Sequence, residues 1–181
     1  MRKGSWEFIT QRFPSCVTEI FEPEGVCVDG HDGYLHWLGC IAEDGDRQTI
    51  VAFDLGLETF IEMPLPDAIL EYRGPNSLGV LGGNLCVVTW VSDGVCEVWV
   101  MEEYGVAESW VKCHVFSQFR CLFGFTSRNE LLIEDDDCHL VLYHPVADKA
   151  KILEKYCPGR FGANKIVEYV DSLVWVAPNV R

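Results

Sequence analysis

The chain has 181 residues, 49% of them apolar or aromatic, so one domain with a sizeable core is expected and a disordered chain is not. Fourteen Lys and Arg stand against 28 Asp and Glu, a net charge of −14. That charge repels phosphate backbones and anionic lipid, so neither nucleic acid nor a membrane surface is an expected partner.

From the N-terminus, Met1 to Glu7 carries basic residues with no apolar stretch behind them, and no secretory signal is expected. Ser5-Trp6-Glu7-Phe8-Ile9 reads as the outer strand of a sheet unit. Further on, turn clusters punctuate the chain: Asp29 to Gly33, Glu43 to Asp46, Gly82-Gly83-Asn84, Ser92-Asp93-Gly94, Ser127-Arg128-Asn129 and Asp135-Asp136-Asp137. Gly, Asn and Asp supply the positive φ angles of tight hairpins. Between the clusters lie strand-like runs rich in branched and aromatic residues: Tyr34 to Ala42, Thr49 to Leu55, Leu85 to Val91, Val95 to Met101, Glu130 to Ile133 and His139 to Tyr143. In Val95 to Met101, Val98 and Val100 lie on one face and Val95, Trp99 and Met101 on the other, so both faces are apolar and both should be covered. Pro64 to Pro75 is the longest linker, with at most one helical turn near Asp67 to Glu71. No run approaches the ~20 apolar residues of a membrane-spanning helix.

An internal register organises these runs. Leu35, Leu85, Leu131 and Leu173 each open an apolar strand two residues after a turn residue, at intervals of 50, 46 and 42, and Phe53, Trp99 and Tyr143 mark the next strand at intervals of 46 and 44. Such periods, with four strands per unit, belong to propeller blades. The expected fold is therefore all-β, a partial β-propeller of about three to four antiparallel four-stranded blades. It forms one domain over 1–181, with units at about 25–66, 77–116 and 119–156 and partial units at 1–10 and 165–176. The flanking partial units would pair if the blades closed into a ring.

Chemistry-bearing residues form no catalytic set. Glu134-Asp135-Asp136-Asp137 lacks the glycine and distal glutamate of a calcium loop and reads as a solvated hairpin tip. His31 and His36, and the neighbours Cys113-His114 and Cys138-His139, fall on opposite strand faces, and no Cys/His set has zinc spacing. There is no GxSxG elbow and no phosphate loop, and Gly79 to Gly83 sits between strands, as a hairpin turn does. No catalytic, cofactor-binding or metal residue is expected, and no cofactor. Of the nine cysteines, Cys27, Cys86, Cys96, Cys113 and Cys121 sit inside apolar runs as small buried thiols. With an odd count and no CxxC pair, they suit a reducing compartment, the cytoplasm or nucleus. Trp37, Trp99 and Trp110 read as core rings, and Trp90, beside a turn, as a possible exposed anchor.

Several stretches carry a resemblance. Gly33-Tyr34-Leu35-His36-Trp37-Leu38, Ile50-Val51-Ala52-Phe53-Asp54-Leu55 and Glu58-Thr59-Phe60, then Leu78 to Cys86, Val98 to Val106 with Glu108-Ser109-Trp110, and Val167 to Val174 resemble the signature of plant F-box-associated domains. Glu102, Val111 and Asp171 depart from it. The resemblance implies a kelch-like propeller that captures a protein target while a separate F-box docks onto a cullin-RING ubiquitin ligase. No run shows the sustained helical periodicity of an F-box, so the match is to the C-terminal part alone. A protein-interaction module is the leading expectation, its target and contact residues unknown. A truncated or vestigial product stands second, and an enzyme with a site at the propeller mouth third.

Overall fold

The structure, a computed structural model, describes residues 12–20, 28–31, 33–41, 47–70, 76–92, 95–117, 119–126 and 128–155. The expected partial units at 1–10 and 165–176, and with them Leu173 and any ring closure, lie outside the described residues. Among those residues the chain is all-β, a partial propeller-like array of antiparallel sheets, with a short α-helix, α1 (Asp67–Leu70), in the linker and a 3-10 turn at Ala107–Ser109.

The first sheet holds β1 (Val17–Ile20), β2 (Val28–His31), β3 (Tyr34–Ile41), β4 (Arg47–Asp54) and β5 (Thr59–Pro64). Its order is β1-β3-β4-β5, and β2 also pairs with β3. β1 meets the Gly39–Ile41 end of β3 and β2 the Tyr34–His36 end, so two short strands share one edge. The second sheet runs β6 (Asn76–Leu81), β7 (Asn84–Ser92), β8 (Val95–Met101) and β9 (Trp110–Ser117). The third runs β10 (Phe119–Phe125), β11 (Leu131–Asp135), β12 (His139–His144) and β13 (Lys149–Lys155). Gly82 and Gly83, at φ 63° and 83°, make the two-residue turn between β6 and β7, a conformation that a Cβ would oppose.

The second sheet is covered on both faces. Leu85, Val87 and Met101 pack with Leu38, Ile50, Ala52 and Met63 of the first sheet and with Leu65 and Ile69 of the linker. Cys86, Val88, Cys96 and Val98 point the other way, toward Leu122, Phe125 and Ile133 of the third sheet. Alternate residues of β7 and β8 thus serve two cores, which is why these strands lack a polar face. The inner strands β2, β6 and β10 lie side by side where the sheets converge. There, a Cβ on Gly79 would overlap the Phe125 ring, so glycine lets that ring lie on the β6 backbone.

The leucine register survives in space. Leu35 pairs with Phe53 and Leu131 with Tyr143 across their second and third strands, while in the second sheet Trp99 pairs with Val87. Other expectations need correction. Cys113 is exposed and Cys121 half-buried, although Cys86 and Cys96 are buried. Cys113 is the extra residue of a bulge on β9, between the pairs Val98–His114 and Trp99–Lys112, so strict alternation fails there. Glu134 is not part of a hairpin tip: it lies in β11, buried, with the Arg120 guanidinium 3.9 Å away. Cys138 sits in the turn at φ 62° and not in a strand.

Candidate functional site

At one end of the array, two turns from different sheets are fastened together. Asp54, the last residue of β4, pairs with Tyr34, the first of β3. Asp54 Oδ1 accepts the backbone N–H groups of Gly56 (2.7 Å) and Leu57 (2.9 Å), and its carboxylate also takes the Tyr34 hydroxyl. The Leu57 amide foremost, with the Tyr34 hydroxyl and the Gly56 amide, holds this carboxyl below the ordinary value of 3.8. The turn Leu55–Glu58 is closed further by Leu55 N–H to Gly33 O (2.9 Å) and Glu58 N–H to Asp54 O (2.8 Å).

The second turn, residues 102–109 between β8 and β9, is knit by Ser109. Its hydroxyl accepts the Glu103 N–H (3.1 Å) and lies 2.7 and 2.9 Å from the carbonyl oxygens of Val106 and Glu103. Glu102 N–H reaches Ser109 O at 3.1 Å. From this turn Tyr104 crosses to the first sheet. Its hydroxyl is 2.9 Å from His36 Nε2, its ring centroid 5.0 Å from that of Tyr34 and 5.7 Å from the His36 ring, the latter edge-on at 80°. Burial, with the charges of Tyr34 and Asp54 behind it, pushes the Tyr104 phenol well above its ordinary value, so it stays neutral. His36 is fully buried. A phenol held neutral and a carboxylate committed to three donors suit shape and rigidity, not proton transfer near neutral pH.

Other singled-out residues lie elsewhere. Trp110 is buried against the first core and donates Nε1–H to Pro64 O (3.1 Å). Trp99 is half-buried, bonds Glu97 Oε2 at 3.0 Å and carries Lys112 Nζ 5.4 Å from its ring centre, while Lys112 also pairs with Glu97 at 2.9 Å. Trp37 is half-buried, and Trp90 packs against the second core, an inter-sheet filler more than an exposed anchor. His31's side chain lies outside the described residues. In the turn after β11, Asp135 Oδ1 accepts the Asp137 (3.0 Å) and His139 (2.7 Å) amides and Oδ2 meets His139 Nδ1 at 3.0 Å. Ligand-type atoms of Asp135, Asp137 and His139 come within 4.8 Å of one another. Three donors, one carboxylate of which is already bonded to two amides, fall short of the six to eight oxygens calcium takes. No helix among the described residues is long and apolar enough to cross a membrane.

Three proteins of Arabidopsis thaliana are similar to this chain. The F-box protein CPR1 is 31% identical over 150 residues, covering 74% of this chain and 35% of that protein. The F-box protein At3g07870 is 38% identical over 81 residues, 45% of this chain and 19% of that protein. The F-box/kelch-repeat protein At3g23880 is 31% identical over 112 residues, 61% and 29%. The chain is related to plant F-box proteins. It resembles their F-box-associated domain and spans about a third or less of the length of these relatives. No protein-family model and no solved structure matches the chain.

In this relative of F-box proteins, Tyr34, His36, Asp54 and Tyr104 all lie within the resembling stretches, but nothing in the sequence brings them together. The Asp54-Leu55-Gly56 order was a readable signal for a side-chain-capped turn. The partnership of His36 and Tyr104, 68 residues apart in sequence, was not readable.

Proposed function

We propose that the chain is a protein-interaction module that captures a target protein, acting like the substrate-recognition part of F-box proteins in cullin-RING ubiquitin ligases. The ligase scaffold joins only through an F-box supplied elsewhere. The observation that carries this reading is the similarity to F-box proteins, which for one relative reaches 74% of the chain. A stacked sheet array presenting fastened turns supports it, since a rigid scaffold loses little freedom when a partner binds. On this reading the three sheets belong to one module, the protein works in the cytoplasm or nucleus, it binds neither nucleic acid nor membrane, and it is not an enzyme.

The test is affinity capture from plant extract with the folded chain as bait, followed by binding of the recovered protein in purified form. A defined target that binds directly and saturably is the expected result. A folded bait that recovers nothing above background, or whose partners fail to bind once purified, refutes the reading.

A further inference from the structure

We propose that the two fastened turns form one contact surface, and that it takes a protein segment carrying cationic side chains beside apolar ones. This deepens the interaction-module reading and rests on it.

The apolar half is the turn after β4, where Leu55 and Leu57 are 53% and 74% exposed. A single exposed leucine needs no explanation. Two stand on one capped turn, whose capping carboxylate bonds the half-buried Tyr34, and the half-buried Tyr104 ring lies 5.0 Å from that of Tyr34. The acidic half is the turn after β8, where Glu102 and Glu103, both exposed, immediately precede Tyr104. The two turns are tied to each other because the Tyr104 ring lies 5.0 Å from that of Tyr34, tilted at 41°, and Tyr34 bonds the carboxylate that caps Leu57. Both turns are fixed before any partner arrives, which keeps the ordering cost of binding low. Carboxylates beside exposed leucines complement Lys or Arg beside an aliphatic or aromatic side chain. Among the described residues the other exposed large apolar side chains are Ile61 on β5, Val111 and Val115 on β9, and Val146, Ile152 and Leu153 in the third sheet and its last turn, each on a strand or turn other than the one that carries Leu55 and Leu57.

The test uses fluorescently labelled synthetic peptides of mixed sequence in three compositions: Lys/Arg with Leu/Phe, Asp/Glu with Leu/Phe, and Lys/Arg with Ser. Binding to the full chain is followed by anisotropy. The Lys/Arg–Leu/Phe set is expected to bind about tenfold or more tightly than the other two. Leu55→Ser with Leu57→Ser, and separately the purely electrostatic Glu102→Gln with Glu103→Gln, should each weaken that binding about fivefold or more. Asp136→Asn with Asp137→Asn, in the third sheet's acidic turn, should leave it unchanged. If that control weakens binding as much as the Glu102/Glu103 change, the attraction is bulk charge and the proposal fails. Equal binding of the Ser-containing peptides overturns it too. A captured target that still binds the Leu55→Ser, Leu57→Ser protein with full affinity overturns this surface while leaving the module reading in place.

Discussion

Asp54 joins three groups with one carboxylate: two turn amides and the hydroxyl that opens the neighbouring strand. Its dependants continue through Tyr34 to Tyr104 and His36, so a turn in the first sheet and a turn in the second share one path of hydrogen bonds and ring contacts. Tyr104→Phe keeps the ring contacts and strips His36 Nε2 of this partner. The loss should be about 1–3 kcal/mol of stability, read from the urea midpoint, with little change in the slope. Thiols separate by environment in the same way. Burial pushes the Cys96 thiol up to about 12 and the Cys86 thiol well above its ordinary value; it raises the Cys113 thiol too, but the residue stands exposed on the outer strand β9 while Cys86 and Cys96 are enclosed. Iodoacetamide applied to the native protein should mark Cys113 and spare Cys86 and Cys96, as mass spectrometry of the digest would register. Equal marking of all three would contradict the packing described for β7 and β8. From sequence, the apolar neighbours of Cys86, Cys96 and Cys113 look alike. The difference arises from strand position and a bulge, neither of which a run of apolar residues encodes.

Elements were legible where turn chemistry and period agreed. The Gly82-Gly83 pair announced its hairpin because only residues free of a Cβ take both positive φ angles comfortably, and the alternation of β8 named the two faces that the structure covers. Less could be read where an element's role depends on a distant neighbour. Gly79 looked like one more turn residue, yet it lies inside β6 beneath the Phe125 ring. Gly79→Ala should therefore cost about 1–3 kcal/mol by overpacking, and Phe125→Leu in the same chain should recover part of it. Strictly additive losses in the four-protein cycle would refute the contact. The shared edge of β3 was hidden for a similar reason: β1 and β2 are each four residues long, and nothing local tells a chain that two pieces will line one partner.

For the molecule as a whole, pH should set the window of stability from both sides. His114 is held below 6.5 by burial, and Asp54 and Asp135 are held below 3.8, chiefly by the Leu57 and His139 amides. In each case the unfolded chain takes up protons more readily than the folded one, so these contributions are present at neutral pH and are lost as acid is added. Thermal midpoints should fall first below pH 6.5 and again below 3.8, and His114→Gln should flatten only the upper step. Tyr104 acts in the opposite sense: its raised value means support that holds below 10.0 and disappears as alkali ionises the phenol. The stacked architecture itself was legible, because Leu35, Leu85 and Leu131 recur at steps that only a repeated sheet unit explains. The contact surface was not, since it is assembled from turns in different sheets.

One small link between sheets allows their separation to be watched. Asn129, at φ 63° in the turn after β10, accepts the Gly82 N–H with its side-chain oxygen at 2.8 Å, joining two hairpin tips that the chain places 47 residues apart. Because the Gly82 amide donates across to this oxygen, its deuterium exchange rate becomes a gauge of docking between the two sheets: slow while they stay together, fast in any molecule whose third sheet has swung free.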